Sequence, residues 1–255
     1  MDIADTDIVT ADTVTETTTI KMFSFLNKKT SIADSGLLDN FVDRHTHILP
    51  GVDDGFKKLS DSLEALAKMQ ELGVKEVWLT PHIMSDFPNQ PAELKEKFEE
   101  LKAAYTGCIY LHIAAEHMLD NLFIERFEAD NLLPMDNNIL LIETSYFNPP
   151  MEFDGIMGDI LNSKYTPLLA HPERYRYMNT NQYKRLKDKG VLFQLNLGSL
   201  VGGYGKEVQS VAKNILGNGW YDCIGSDIHS LKQLQQILYT PALSKKEIAI
   251  LENII

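Results

Sequence analysis

Histidines and carboxylates recur at short spacings along this chain, and their chemistry suits a metal centre. His45 and His47 are separated by one residue, as are Asp227 and His229. Residues i and i+2 of a strand point to the same side, so each pair can address one ion. Imidazole and carboxylate ligands without thiolate favour Mn, Fe or Zn over a structural zinc site rich in cysteine.

Further candidate ligands stand where other apolar runs end. Asp54 follows the first pair of histidines, and His82 follows Thr80-Pro81. The remaining candidates are Glu116, Glu143 and His171. Each alone has an ordinary explanation, such as a buried salt bridge or a helix cap. Their recurrence at the ends of successive predicted strands indicates a multinuclear metal site.

Alternating apolar runs and amphipathic segments predict the framework that positions these residues. The predicted strands are 41–46, 75–80, 108–114, 139–143, 167–170, 191–196 and 221–226. The predicted helices are 61–72, 92–105, 119–127, 155–163, 180–189 and 206–216. Gly73, Gly190 and Gly219 suit the residue that follows a helix end. Asp61 and Glu64 have the spacing of a capping box.

Seven β/α units in series imply parallel strands joined by right-handed crossovers. Both an open doubly wound sheet and a closed barrel satisfy this pattern. In a barrel, the ends of several strands contribute to one site at the carboxyl-terminal mouth. The polar residues at the strand ends therefore favour a barrel.

Composition excludes several classes of function. The chain has 255 residues and a net charge of −12, which argues against nucleic-acid binding because that relies on clustered Lys and Arg. The sequence contains no run of about 18 apolar residues, so membrane insertion is not expected. Cys108 and Cys223 cannot form a disulfide framework, so a cytoplasmic location is predicted.

The beginning of the chain differs in composition from the rest. Residues 1–20 carry five acids and no base, without the basic and apolar regions of a secretory signal. We predict that residues 1–21 are a disordered tail or a mis-annotated start, with Met22 as the natural start. Residues 22–40 are then a lead-in, and 41–255 form a single domain.

Two features near the candidate ligands receive structural interpretations. His117 adjoins Glu116 along a strand and is expected to point away from the site. The segment Gly202-Gly-Tyr-Gly205 predicts a turn ahead of a helix, although its backbone N–H groups could instead bind an anion.

Several motifs resemble the polymerase-and-histidinol-phosphatase (PHP) superfamily. They are Val42-Asp-Arg-His-Thr-His-Ile-Leu-Pro-Gly-Val-Asp-Asp-Gly55, Thr80-Pro-His82, Ala170-His-Pro-Glu-Arg-Tyr175 and Gly225-Ser-Asp-Ile-His229. Within that superfamily, the sequence resembles the bacterial manganese-dependent protein-tyrosine phosphatases of capsule and exopolysaccharide loci. The resemblance extends from about Phe41 to Leu238 and implies a distorted (β/α)7 barrel.

The resemblance implies three divalent metal ions, with Mn2+ expected and Fe or Zn as alternatives. One ion would take His45, His47, Glu116 and Asp227, a second would share Glu116 and add Glu143 and His171, and the third would take Asp54, His82 and His229. Arg174 matches the phosphate-binding arginine of the family. Tyr175 and Phe147 are expected substrate contacts, unless the aromatic residues of the Phe147 loop only pack it against the barrel rim.

The implied reaction is hydrolysis of phosphotyrosine by a metal-activated hydroxide, with Arg174 on the phosphoryl oxygens. The implied substrate is the tyrosine-rich tail of a bacterial tyrosine kinase. Neither cysteine precedes an arginine by six positions, so the loop of thiolate phosphatases is absent. Two alternatives stay open: a phosphatase of small phosphoesters such as histidinol phosphate, and a metal-binding scaffold without turnover.

Overall fold

The computed structural model describes residues 29–254, which fold into parallel strands alternating with helices. The predictions for residues 1–21, for Met22 as the start and for residues 22–28 lie outside the described residues. Residues 29–40 contribute to the core through the buried side chains of Ile32, Leu37 and Leu38. Among residues 29–254, no helix has the length and apolar composition required to cross a bilayer.

Nine strand segments within the described residues form two sheets. They are β1 (Val42–Thr46), β2 (Glu76–Leu79), β3 (His82–Ile83), β4 (Tyr110–Ile113), β5 (Glu116–Met118), β6 (Ile139–Glu143), β7 (Thr166–Ala170), β8 (Leu192–Asn196) and β9 (Cys223–Gly225). The sheet orders are β1-β2-β4 and β3-β5-β6-β7-β8-β9, and every pair is parallel. Each of the seven predicted strands overlaps one of these segments, and β3 and β5 are additional.

The two sheets join where β2 and β4 continue into β3 and β5. Pro81 separates β2 from β3 and has no backbone N–H to donate to a neighbouring strand. The Thr80 N–H donates to the Thr46 carbonyl at 2.8 Å, and the Glu116 N–H donates to the Pro81 carbonyl at 3.1 Å. These hydrogen bonds connect neighbouring strands on both sides of Pro81, so the two sheets are continuous there.

The segment after β9 lies beside β1, so the first and last strands meet. The Asp227 N–H donates to the His45 carbonyl at 2.7 Å, and the His47 N–H donates to the Ile228 carbonyl at 3.0 Å. The parallel sheet is therefore curled, and the carboxyl ends of its strands face a common space.

Nine α-helices of the described chain surround the strands. They are α1 (Leu59–Glu71), α2 (Pro91–Ala104), α3 (Asn121–Glu128), α4 (Phe153–Leu161), α5 (Thr180–Asp188), α6 (Leu197–Leu200), α7 (Lys206–Gly217), α8 (Leu231–Tyr239) and α9 (Lys245–Leu251). All six predicted helices are present, with both ends within two residues of the prediction. Gly73, Gly190 and Gly219 follow helix ends in the left-handed region, as predicted.

The predicted capping box at Asp61 and Glu64 is wrong. Helix α1 begins at Leu59, with Lys58 as its N-cap and no side-chain cap bond. Asp61 therefore lies inside the first turn, where its charge still favours the positive end of the helix dipole.

Candidate metal centre

The polar strand ends meet in one pocket at the carboxyl-terminal edge of the curled sheet. Its volume is about 410 Å3. The residues that line it are Asp54, His82, Glu116, Tyr146, His171, Arg174, Tyr204, Asp227, His229 and Gln233. The other predicted ligands, His45, His47 and Glu143, are buried and contact these residues. The structure thus brings all nine predicted ligands together.

The inner part of the cluster consists of His45, His47, Glu116 and Asp227. The two Nε2 atoms of the histidines lie 3.1 Å apart. Oε2 of Glu116 lies 3.2 Å from Nε2 of His45 and 3.4 Å from Nε2 of His47. Oδ1 of Asp227 lies 3.5 Å and 3.3 Å from the same two nitrogens. Nε2 of His45, Nε2 of His47 and Oε2 of Glu116 therefore form one group of donor atoms, and Oδ1 of Asp227 contacts both histidines of that group.

His171 and His82 connect this inner part to Glu143. Nε2 of His171 lies 3.0 Å from Oε1 of Glu116 and 3.9 Å from Oε2 of Glu143. Nδ1 of His82 lies 3.1 Å from Oε2 of Glu116 and 3.0 Å from Oε1 of Glu143. The predicted grouping placed His82 only with Asp54 and His229, whereas here it also faces the second group.

The outer part of the cluster lies at the mouth of the pocket. Oδ1 of Asp54 is 3.4 Å from Nε2 of His82 and 3.4 Å from Nε2 of His229. The Asp54 side chain is 56% exposed and that of His229 is 26% exposed. The hydrogen bond from His229 is the main cause that lowers the pKa of Asp54 to about 2. Asp54 is therefore ionised over the whole physiological range.

The donor set fits divalent cations. His82 Nδ1 lies 3.1 Å from Glu116 Oε2 and 3.0 Å from Glu143 Oε1, and all three atoms are buried, yet none has hydrogen-bond geometry to a partner. Buried polar atoms left without partners cost free energy, and a shared cation satisfies several of them together. Four carboxylates around one arginine would also repel a phosphate dianion unless cations intervene.

Two buried side chains orient His45 and His47. Oδ2 of Asp53 lies 2.8 Å from Nδ1 of His47, while its Oδ1 accepts the Gly55 N–H at 2.9 Å. Oε1 of Gln194 lies 3.0 Å from Nδ1 of His45. Each acceptor fixes the proton on Nδ1 and leaves Nε2 free to face the cluster.

The backbone around the cluster is constrained. A Cβ on Gly225 would lie 2.4 Å from Cβ of His45, so only glycine leaves space for that imidazole. His171 and Asp227 have φ of 33° and 52°, in the left-handed region that non-glycine residues rarely adopt. Such conformations cost roughly 1–3 kcal/mol each and concentrate at functional sites.

Arg174 is held in one orientation above the cluster. Its Nη1 donates to Oδ2 of Asp227 at 2.8 Å. Its guanidinium carbon lies 4.3 Å from the ring centre of Tyr146 and 4.1 Å from that of Tyr204. Cation–π contacts of this kind restrain the planar guanidinium. Burial raises the pKa of Tyr204 to about 12, so this phenol stays neutral beside an incoming anion.

Asn196, at the end of β8, connects the cluster to a buried glutamate. Its Nδ2 donates to Oδ2 of Asp227 at 2.7 Å, and its N–H donates to Oε1 of Glu173 at 3.0 Å. Oε2 of Glu173 accepts the Tyr221 hydroxyl at 3.0 Å. Oδ2 of Asp227 thus accepts from both Arg174 and Asn196, which leaves Oδ1 facing the histidines.

Three other residues singled out by sequence lie away from the pocket lining. Phe147 is 62% exposed, and the guanidinium carbon of Arg176 lies 5.0 Å from the centre of the Phe147 ring. Tyr175 is buried, and its hydroxyl donates to the Ala170 carbonyl at 2.9 Å. In this arrangement Tyr175 supports the neighbouring rings and does not line the pocket. His117 points away from the cluster, as predicted, toward the Leu141 carbonyl at 3.3 Å.

Sequence reasoning missed the roles of Asp53, Gln194, Asn196, Tyr146 and Tyr204. A signal existed for Gln194 and Asn196, which are polar residues at i and i+2 of a buried apolar strand. The same alternation identified His45 and His47. Tyr204 lies in the glycine-rich segment, where the sequence suggests a role only for the backbone N–H groups, and no sequence pattern indicates that its ring stacks on an arginine.

Comparisons with known proteins agree with this architecture. The sequence profile of the family described as capsular polysaccharide synthesis, CpsB/CapC, matches residues 41–245. The chain is 29% identical over 209 residues to the tyrosine-protein phosphatase YwqE of Bacillus subtilis, covering 78% of this chain and 82% of that protein. It is 27% identical over 210 residues to the tyrosine-protein phosphatase CpsB of Streptococcus pneumoniae, covering 74% and 83%.

A solved structure shares the fold. It superposes with a TM-score of 0.70 and 26% sequence identity, covering 84% of this chain and 87% of the other. It comes from crystal structures of YwqE from Bacillus subtilis and CpsB from Streptococcus pneumoniae, described as unique metal-dependent tyrosine phosphatases. The matched range 41–245 contains every candidate ligand described above.

Proposed function

The chain belongs to the CpsB/CapC family of capsular polysaccharide synthesis, and from this premise we propose that it is a metal-dependent protein-tyrosine phosphatase. The observation that carries the proposal is a single pocket in which four carboxylates and five histidines converge beneath one clamped arginine. The activity of the named relatives supports the same conclusion. We also infer that the curled sheet is the distorted (β/α)7 barrel of a single domain, supported by the hydrogen bonds between β1 and the end of β9.

We infer that the cluster holds three divalent ions, with Mn2+ preferred because its ligands are oxygen and imidazole nitrogen. The proposed sets are His45, His47, Glu116 and Asp227; Glu116, Glu143 and His171; and Asp54, His82 and His229. Three overlapping groups of donor atoms, each within 4.8 Å of one another, support a site for more than one ion: His47, Asp54, His82 and His229; His45, His47 and Glu116; and His82, Glu116 and Glu143. When bound, the ions supply a water nucleophile that ionises near neutral pH and positive charge for the phosphoryl oxygens.

Arg174 binds the phosphoryl group in this proposal. Its Nη1 is committed to Asp227, while the remaining N–H groups of a guanidinium suit phosphoryl oxygens in a planar, bidentate contact. Tyr146 and Tyr204 prevent the guanidinium from rotating out of that plane. The donor is therefore in place before the charge on the phosphoryl oxygens develops, which is the condition for transition-state stabilisation.

The leaving group and the substrate follow from the same pocket. A phenolate, with a pKa of about 10, departs more readily than an alkoxide, so the pocket does not require a strong acid. We propose the phosphotyrosine tail of a bacterial tyrosine kinase as the substrate. Cys108 and Cys223 are free thiols, which supports a cytoplasmic location.

The test is metal content together with turnover. We expect two to three ions per chain, and hydrolysis of p-nitrophenyl phosphate and of a phosphotyrosyl peptide that chelation abolishes and Mn2+ restores. Histidinol phosphate serves as the competing substrate. Preference for histidinol phosphate over the peptide would favour a small-phosphoester phosphatase, and bound metal without any turnover would favour a scaffold. Absence of metal from the purified protein would refute the proposal.

A further inference from the structure

A groove lies between α3 and α4, next to the candidate metal centre. It consists of two adjoining cavities of about 490 and 610 Å3. Both cavities are lined by Ile124, Glu152 and Ile156. Ile124 is 46% exposed, and Met151 at the edge of the larger cavity is 90% exposed. Large apolar side chains exposed along a groove are typical of a binding surface.

The groove adjoins the pocket of the candidate metal centre, because residues that line the groove follow pocket residues closely along the chain. Its larger cavity is lined by Ser85, Leu119 and Pro150. These residues follow His82, Glu116 and Tyr146 of the pocket by three or four positions along the chain. A polypeptide whose side chain enters the pocket therefore reaches the groove with its neighbouring residues.

The groove is acidic. Its lining includes Asp120, Glu128, Glu152 and Asp159 and contains no Lys or Arg. Asp120 accepts the backbone N–H groups of Ser85 and Phe123. The other three carboxylates are exposed, and none forms a salt bridge within residues 29–254. Their charges are available to a ligand.

We propose that this groove binds the polypeptide that flanks the phosphotyrosine and selects segments in which Lys or Arg alternates with an apolar residue. The inference rests on the proposed phosphatase function and adds a charge preference to it. Charge complementarity identifies the occupant, because basic side chains match the three exposed carboxylates while an apolar side chain packs on Ile124. From Glu152 to Asp159 the groove extends roughly 10 Å, which is about three residues of extended chain.

The test compares two phosphotyrosyl peptides that differ only in flanking charge. One carries Lys-Leu-Lys on both sides of the phosphotyrosine, and the other carries Glu-Leu-Glu. We expect the Mn2+-loaded enzyme to have at least about tenfold higher kcat/KM for the basic peptide at low salt, with the difference shrinking in 0.5 M salt. The combined E128K and D159K substitutions should abolish or reverse the preference.

Controls separate the groove from the catalytic chemistry. Glu128 and Asp159 lie near the carboxyl ends of α3 and α4, where lysine suits the helix dipole, so the double variant should fold. Its turnover of p-nitrophenyl phosphate should match that of the native chain. The matched control is E71K, at the carboxyl end of α1, before β2 and thus at the opposite end of the sheet from the pocket. It should retain the peptide preference.

The outcomes distinguish this inference from the proposed function. Loss of all metal-dependent turnover, including that of p-nitrophenyl phosphate, would refute the phosphatase itself. Normal turnover with equal kcat/KM for the two peptides, or an unchanged preference in the double variant, would refute the groove alone. Sedimentation that shows a dimer of the native chain and a monomer of I124S would instead assign the groove to self-association and overturn the inference.

Discussion

The inner and outer ligands of the candidate metal centre are held in different ways. His45, His47 and Glu116 are fully buried, and each of the two imidazoles has a second, buried partner. Asp54 and His229 stand at the mouth with 56% and 26% of their side chains exposed. Buried side chains that are held by a second hydrogen-bond partner keep their orientation without an ion. Exposed side chains lack this support, and water competes with them for the ion. We therefore expect tight inner binding and weaker outer binding.

Removing the shared inner carboxylate should have the largest effect. In E116Q, the donor that faces His45, His47 and His171 loses its charge. Because metal ions supply several kcal/mol to the reaction, we expect roughly a 10^3-fold or greater loss of turnover with a lower metal content. Metal analysis and p-nitrophenyl phosphate kinetics measure this. E125Q, an exposed residue of α3, is the matched control; comparable metal retention by E116Q would contradict the inner assignment.

Removing the arginine should separate phosphate binding from metal binding. We expect R174A to lose roughly 10^2–10^3-fold in turnover, the range of one lost transition-state donor. Its metal content should stay unchanged, because Arg174 contacts Asp227 only through Oδ2. Kinetics with parallel metal analysis give both quantities. Near-native turnover would remove Arg174 from the phosphate-binding role.

Substitutions of the neighbours Asp53 and Asp54 offer the sharpest test of the difference between inner and outer metal binding. Asp53 is buried and orients His47, so D53N should reduce metal affinity or activity by about 10–100-fold. D54N should weaken only the outer ion, and added Mn2+ should restore most of its activity. Turnover titrated with Mn2+ compares the two variants. If D54N required more Mn2+ than D53N to recover its turnover, the outer ion would be bound more tightly than the inner one, which would contradict the expected order of affinities.

The aromatic clamp on Arg174 should give the smallest effect. A cation–π contact is worth about 0.5–2 kcal/mol, so Y204L should reduce kcat/KM by roughly two- to thirtyfold. Y204F keeps the aromatic ring and should therefore reduce kcat/KM less than Y204L does. Inhibition by inorganic phosphate provides a second readout, because a displaced guanidinium binds the anion more weakly. Equal behaviour of Y204L and Y204F would show that the ring does not restrain Arg174.

The spacing of apolar residues and the positions of glycines predict most of the helices and strands. The helices were found to within two residues because their apolar spacing and the terminal glycines act locally. The breaks that separate β3 and β5 from the preceding strands were not foreseen, because they depend on how two sheets join. The capping box at Asp61 failed for a similar reason, since its spacing was correct but the helix begins at Leu59.

For the site, residue type predicted which side chains gather but not how they are held. All nine candidate ligands converge because parallel strands end at one edge. Residue type does not identify the partners Gln194 and Asn196, because neither is a usual metal ligand. The stacking of Tyr146 and Tyr204 on Arg174 brings together side chains from three separate segments of the chain, which no local pattern records.

The left-handed conformations of His171 and Asp227 set a limit on how stable this chain can become. Glycine at either position would relax the backbone but remove a side chain of the cluster. Selection for stability alone would favour such replacements, and selection for activity would oppose them. A library screened only for thermal resistance should therefore accumulate changes at these two positions, and so reveal where the fold and its chemistry compete for the same residues.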